Sequence, residues 1–354
     1  MNSLFLDFYN KNKKDLEKSI IEFNNNLKED NKLINNNLEV FKKLNSNGKL
    51  IRGILIELGY YLLSDDISYA KDLALAYEVF QTSILVHDDI IDQDDIRRNV
   101  KTIHSVNKDN YSIIEDKNII NHLSNSIALC MGDYGLFTAN KIITESYKND
   151  KNLGNILSCY NDIVIKTIKG EILDVVLPYE SKYKSIENDT LKDSIINIYK
   201  LKTAYYTIIG PLVLGLTLNN ANDKQKKDIE SFGEKVGIAF QIQDDILGIF
   251  NDNIGKITGS DIKEYKQTLM YYYIQTTPYK DEFNKIYGTN NLSIDNIQKI
   301  KDLLIDSKSY EYALNTMNDL YDESIKLLDN ISWIKKEKKE LLRGFVEFLR
   351  NRNK

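Results

Sequence analysis

Three prolines, Pro178, Pro211 and Pro278, are all that a chain of 354 residues contains. Proline removes a backbone donor and breaks helix interiors, so its scarcity leaves long stretches free to stay helical. The apolar residues agree. Leu4, Phe5, Phe8, Leu16, Ile20, Ile21 and Phe23 fall mostly three and four apart, the spacing of one helix face. Runs that alternate apolar with polar residues are absent. Helices are expected over residues 3–26, 30–45, 50–63, 69–92, 123–147, 153–177, 191–218 and 224–250, then in shorter pieces to 350, with a kink or break at Gly210-Pro211. Segment 69–92 is apolar nearly all round, which marks it as central, and 224–250 is expected to be a second central helix. No Pro/Gly/Ser linker divides the chain. One all-α helical bundle spanning residues 1–354 fits better than two domains.

The expected helix 69–92 ends in SILVHDDIIDQDDIRR, residues 83–98. Asp88 and Asp92 lie four apart, so their carboxylates share a helix face, with Asp89 beside them. Like charges at this density repel and call for a cation. Hard divalent ions prefer carboxylate oxygens, and Mg2+ takes one or two of them and completes its shell with water and phosphate. A second acidic stretch, FQIQDDILGIFND at 240–252, places Gln241, Asp244 and Asp245 at i, i+3 and i+4. Two such helix ends facing each other across a central cavity would hold several divalent ions bridged by phosphate. Basic residues flank both stretches: Arg97 and Arg98 after the first, and a loop carrying Lys256 and Lys266 after the second. Lys202-Thr203 sits in an apolar helix. GKLIRG, residues 48–53, sets Lys49 and Arg52 three apart at a helix start, where free backbone N–H groups also favour anions.

Other classes are poorly matched. The net charge is −5 and no basic groove with regular aromatics is present, which disfavours nucleic acid. Cys130 and Cys159 lack metal or redox spacing and read as buried free thiols in a reducing compartment. His87, His104 and His122 have no zinc spacing. A calcium loop starting at Asp92 would need an oxygen ligand at 96 and glycine at 97, where Ile96 and Arg97 stand. The longest apolar candidate for a membrane span, 205–216, is too short and holds Gly210 and Pro211. With no signal-peptide layout at the N-terminus, a cytoplasmic protein without an integral membrane segment is expected.

Taken together and in order, these elements resemble the trans-prenyltransferases, the head-to-tail isoprenyl diphosphate synthases. The resemblance covers residues 48–268. GKLIRG is similar to the family's GGKxxR element; Gln81 stands seven residues before Asp88, at a family substrate contact; Asp88–Asp92 is a DDxxD motif followed by Arg97-Arg98. Gly132-Asp133, GEILD at 170–174 and Lys202-Thr203 resemble the GD, GQxxD and KT elements, and Gln241–Asp245 with Lys256 the second aspartate-rich region. Three departures stand out. Asn47 precedes Gly48, Glu171 replaces the common Gln, and Gly248 replaces the last Asp of the second motif.

The resemblance implies an isoprenoid-synthase fold and Mg2+ dependence, with about three ions per site and Mn2+ able to substitute. It implies Asp88, Asp92 and Asp244 as metal ligands, with Asp89 in the same catalytic cluster. Arg97, Lys202 and Lys256 would hold an allylic diphosphate. Lys49, Arg52, Gln81 and Arg98 would hold isopentenyl diphosphate, with Gly48 and Lys266 as further substrate-binding residues. Thr203, Tyr206 and Gln241 would support the carbocation. A homodimer is implied as well. Three other functions stay in view: a non-catalytic prenyltransferase subunit, a terpene cyclase of the same fold, and an ion-binding structural protein. The intact first motif opposes the first. Lys49 and Arg52, which a cyclase would not use, oppose the second. Turnover separates the third.

The growing hydrocarbon should run along the helix before Asp88, away from the metals. One turn is about 5.4 Å, on the order of one five-carbon unit. Ser83 and Ile84 occupy the first turn, where family members with aromatics make farnesyl products; Phe80 occupies the next. A small Ser83 lets the tail pass and Phe80 forms a floor, giving geranylgeranyl diphosphate as the main product, with some farnesyl diphosphate; a farnesyl diphosphate synthase or a longer-chain polyprenyl diphosphate synthase is the alternative. Ser83→Phe should shorten the product and Phe80→Ala lengthen it, both read by chromatography of dephosphorylated products. An unchanged length for Ser83→Phe would remove Ser83 from the wall.

Overall fold

The computed structural model describes residues 3–184, 186–251, 260–289 and 292–352. They are helical almost throughout and group into two compact units.

One unit comprises Asp7–Leu157 with Leu218–Asn220. It holds most of α1 (Ser3–Asn26), then α2 (Lys32–Ser46), α3 (Ile51–Tyr61), α4 (Lys71–Ile91), α5 (Ile103–Asn110) and α6 (Lys117–Ser146). Helix α4 is its centre, as its all-round apolarity predicts. Tyr77, Val79, Phe80 and Val86 are buried. It packs most extensively against α6, whose buried residues include Ala128, Gly132, Gly135 and Ala139. Small residues let two helix backbones approach. A Cβ on Gly135 would stand 2.9 Å from both the Ser83 Cβ and the Phe41 ring. Tyr147 ties the start of α4 down, its hydroxyl donating to the Tyr69 carbonyl at 2.7 Å and accepting from the Leu73 N–H at 3.2 Å.

Between α4 and α5 lies a feature that the sequence pattern does not show: a two-stranded antiparallel hairpin, β1 (Ile96–Arg97) and β2 (Val100–Lys101), with Arg97 opposite Val100. Arg98 and Asn99 form its turn with φ of 53° and 62°, as a two-residue type I′ turn demands. Strands this short carry no alternation to read.

The other unit comprises Met1–Leu6, Ser158–Thr217 and Ala221–Lys354. It contains most of α7 (Leu153–Tyr183), a continuous helical run from Asn188 to Leu218, and α10 (Asp223–Phe250). The short α11 (Ser260–Lys263), α12 (Leu269–Gln275) and α13 (Lys280–Asn284) follow, then α14 (Ile294–Asp306), α15 (Ser309–Asn330) and α16 (Lys336–Arg350). Helix α10 starts with a capping box between Asn222 and Gln225 and packs chiefly against α15 and the 199–209 segment.

Two prolines behave differently from expectation. Helix α7 continues through Pro178 to Tyr183. The run 188–218 does not break at Gly210-Pro211. It is α8 (Asn188–Ile198), a π-helical stretch over Tyr199–Ile209, then α9 (Gly210–Leu218), with the Gly210 N–H donating to the carbonyl of Tyr205, five residues back. Widening the helix before Pro211 is one way to accommodate a residue that donates no hydrogen bond. The apolar run is therefore longer than expected. By length and composition alone this helix could cross a membrane, but 78% of its most apolar window is buried inside the protein, as for a core helix. The cysteines differ from expectation as well: Cys130 is exposed and Cys159 half-buried, neither being the buried thiol that the sequence suggests.

Candidate active site

Asp88 and Asp89 lie in the last turn of α4 and Asp92 caps it, the Asp92 N–H reaching the Asp88 carbonyl at 2.8 Å. This end of a helix carries the negative pole of its dipole, so three carboxylates here intensify the demand for a cation. Arg97, presented by the hairpin, answers part of it. Its guanidinium pairs with Asp88 at 2.9 Å, with Asp94 at 3.3 Å and with Asp89. Asp89 is 1% exposed. Burial pushes its carboxyl up to about 7 against the pull of Arg97, and its Oδ2 is buried without a hydrogen-bond partner. His87 turns from the acidic end toward α6, with Nε2 3.2 Å from the Leu129 carbonyl and 3.4 Å from Asp133. Gly132 makes room for that ring.

The same unit brings together the cationic set expected to hold the second diphosphate. With the Gln81 amide oriented to satisfy its neighbours, its oxygen accepts from Arg52 at 2.8 Å and from Arg98 at 2.9 Å, and its nitrogen donates to Glu78 at 2.7 Å. Glu78 also accepts from the Gly53 N–H at 2.8 Å. Burial raises its carboxyl, opposed by that N–H, Arg52 and Arg98. Arg98 further donates to the Leu44 carbonyl at 2.9 Å and lies against Gly48, where a Cβ would stand 3.2 Å from its Nη1. Lys49 is exposed at the entry to α3, its carbonyl accepting from Tyr9 at 2.6 Å.

The unit built on α10 joins the remaining motifs. Lys202 pairs with Asp174 at 2.6 Å and with Glu171 at 2.9 Å. Gly170 permits this, since a Cβ there would stand 2.3 Å from the Lys202 backbone nitrogen. Thr203 donates to Gln241 at 2.5 Å, and Gln241 donates to Asp245 at 2.8 Å. Asp245 also accepts from Tyr199, whose oxygen accepts the Leu269 N–H at 3.0 Å. Burial lifts Asp245 to about 7, opposed chiefly by Lys266 and these two donors. Tyr206 is buried. Asp244, 38% exposed, pairs with Arg352 near the C-terminus. Lys266 is 3.8 Å from Asp261. Lys256 lies outside the described residues.

The polyprenyl synthetase family model matches residues 34–304. The chain belongs to that family. The geranylgeranyl diphosphate synthase of Saccharolobus solfataricus is 27% identical over 321 residues, 89% of each chain. The farnesyl pyrophosphate synthase of Candida albicans is 28% identical over 339 residues, 88% of this chain and 89% of that one. A short chain isoprenyl diphosphate synthase of Methanocaldococcus jannaschii is 26% identical over 273 residues, 76% and 75% of the two chains. The crystal structure of a geranylgeranyl pyrophosphate synthase from Corynebacterium glutamicum, complexed with isoprenyl diphosphate and magnesium, superposes with a TM-score of 0.81 at 22% identity over 99% of this chain and 97% of that one. At that identity the likeness establishes the shared all-helical fold.

As a polyprenyl synthetase the chain uses residues that motif spacing does not single out. Glu78 orients Gln81, Tyr199 holds Asp245, and Arg352 meets Asp244. Glu78 and Tyr199 each stand three residues before a motif residue, Gln81 and Lys202, so helical spacing could have found them. Nothing local marks Arg352.

Each unit by itself offers a carboxylate that suits Mg2+, an ion that takes one or two carboxylates and fills its shell with water and phosphate: Asp88 in one and Asp244 in the other are partly exposed and already balanced by an arginine. Among the described residues no three His, Cys, Asp or Glu are grouped to hold a metal ion.

Phe80 is fully buried in edge contact with Tyr77, ring centroids 5.2 Å apart, and Ile84 is half-buried. Ser83 is fully buried and donates to the Gly132 carbonyl. A phenylalanine at 83 therefore presses on α6, and its product-length measurement needs a stability measurement beside it.

Gly248 also finds a physical setting. A Cβ on it would stand 2.2 Å from the Asp261 carboxylate oxygen. Gly248→Asp, which would complete the family motif, should drive a second carboxylate into that space and lower the melting temperature by roughly 2–8 °C. Asp261→Asn in the same background should recover part of the loss. An unchanged melting temperature for Gly248→Asp would contradict the close approach.

Proposed function

We propose that the chain is a short-chain prenyl diphosphate synthase. It condenses isopentenyl diphosphate head to tail with dimethylallyl, geranyl or farnesyl diphosphate, with geranylgeranyl diphosphate as the main product and farnesyl diphosphate as a minor one. The observation that carries this is the pairing of a DDxxD helix end with a separate basic set, Arg52 and Arg98, joined through the Gln81 amide. A terpene cyclase has no use for the second set. The relatives' names support the same class.

Asp88, Asp92 and Asp244 are assigned to Mg2+, which when bound supplies Lewis-acid stabilisation of the departing diphosphate. Arg97, Lys202, Lys256 and Lys266 bind that diphosphate and take up its growing charge. Lys49, Arg52 and Arg98 bind and orient isopentenyl diphosphate, so that its double bond attacks the allylic cation as the C–O bond breaks. Thr203, Tyr206 and Gln241 present oxygen dipoles to the cation. The released pyrophosphate accepts the proton lost on forming the new double bond, which leaves no role for a catalytic His or Cys. Phe80 sets the depth available to the hydrocarbon.

A second copy of the chain is the proposed partner. Helix α6 exposes Leu129 and Phe137, eight residues apart, and α7 exposes Ile165, Ile168, Ile172 and Val176 at helical spacing. Apolar stripes of this kind mark association surfaces. Phe137→Lys should convert a dimer to monomer in light scattering; a wild-type monomer would refute the dimer.

The assay that tests the activity uses purified protein, Mg2+, labelled isopentenyl diphosphate and allylic primers of five, ten or fifteen carbons. Twenty-carbon product is expected from each, with Asp92→Asn lowering turnover by roughly 100-fold or more. No product from any primer would sink the assignment. A different chain length would revise Phe80's role alone.

A further inference from the structure

The C-terminal end supplies a cation that no motif includes. Arg352 pairs with Asp244, and its guanidinium lies over the Phe240 ring, 4.5 Å from the centroid. Phe240 and Asp244 are four apart on α10, so Arg352 grips one face of that helix at two points. Its backbone is fastened as well. Gln243 donates to the carbonyls of Arg350 at 3.2 Å and Arg352 at 3.1 Å, and accepts from Tyr321 at 3.2 Å. The Arg352 side chain is 17% exposed, far from a tail trailing in solvent.

We propose that Arg352 is a built-in countercation of Asp244 that a divalent metal must displace, so that metal loading at this carboxylate is coupled to the arrival of a diphosphate. The inference rests on Asp244 being a metal ligand, as assigned above. A guanidinium and a metal ion compete for the same carboxylate oxygens. Guanidinium is weakly hydrated, and Mg2+ gives up water reluctantly, so the pair persists while metal is the sole competitor. A diphosphate changes the balance in two ways. It offers oxygens to the metal, and it accepts the released guanidinium in bidentate fashion. Each ligand then tightens the other by the same factor. Arg352 is thus a positioning residue for the metal site.

The test is titration of substrate-free protein with Mn2+, read by the paramagnetic signal of free ion, with and without inorganic pyrophosphate. It compares wild type, Arg352→Gln, Asp244→Asn and the double variant. Arg352→Gln keeps the backbone carbonyl that Gln243 holds, and a melting curve checks its fold. Arg352→Gln should bind Mn2+ roughly threefold or more tightly without pyrophosphate, and the gain should vanish in the Asp244→Asn background. Pyrophosphate should tighten Mn2+ more in wild type than in Arg352→Gln. If Asp244→Asn weakens Mn2+ binding but Arg352→Gln leaves it unchanged, or pyrophosphate tightens both proteins equally, the countercation role is overturned and the metal assignment stands. If Asp244→Asn leaves Mn2+ binding unchanged in the presence of pyrophosphate, the metal assignment falls and this inference with it.

Discussion

Buried and half-buried carboxylates near helix ends need positive charge or donors, and much of this protein's polar architecture follows from that need. Asp88-Asp89 and Asp244-Asp245 solve it in the same way. Successive helical residues point about 100° apart, so one member of each pair turns inward. Asp89 and Asp245 are almost fully buried, and burial lifts both to about 7. Arg97 holds the first; Tyr199 and Gln241 hold the second. Asp88 and Asp244 stay partly exposed, each against an arginine. The inner carboxylates set the position of the helix end, and the outer ones are left with partners that can be exchanged.

The cations are positioned by the same logic with the signs reversed. Lys202 sits between Glu171 and Asp174, and Arg52 and Arg98 share the Gln81 amide that Glu78 fixes. Long basic side chains lose rotamer freedom when ordered, and neighbouring carboxylates make that ordering favourable before any anion arrives. The glycines belong to this scheme. Gly170 brings Lys202 close to α7, and Gly48 leaves space for Arg98. The π-helical stretch carries Lys202, Thr203 and Tyr206 on one widened segment, and such widening is often found at functional positions.

Much of this was legible in the residues alone. The spacing of Asp88 and Asp92, or of Gln241 and Asp245, places groups on one face because helix geometry is local and periodic. The helices containing them were long and strongly patterned, and they formed within a few residues of expectation. The misses have physical causes. The hairpin at 96–101 is too short to show a period, and its turn depends on Arg98 and Asn99 adopting left-handed backbone. Helix α7 runs past the expected end at 177, with Pro178 inside it, to Tyr183.

Helical class, the two aspartate motifs and the inventory of basic residues were set by periodicity and chemical type, which act over one or two turns of chain. The pairings were not. Arg352 lies 108 residues from Asp244, Tyr199 lies 46 from Asp245 and Glu78 lies 25 from Gly53. Such partners meet because apolar faces bury against one another and carry their polar residues with them. Burial pattern names the face of a helix but not its neighbour, so the charge balance of the site became visible once the helices were packed.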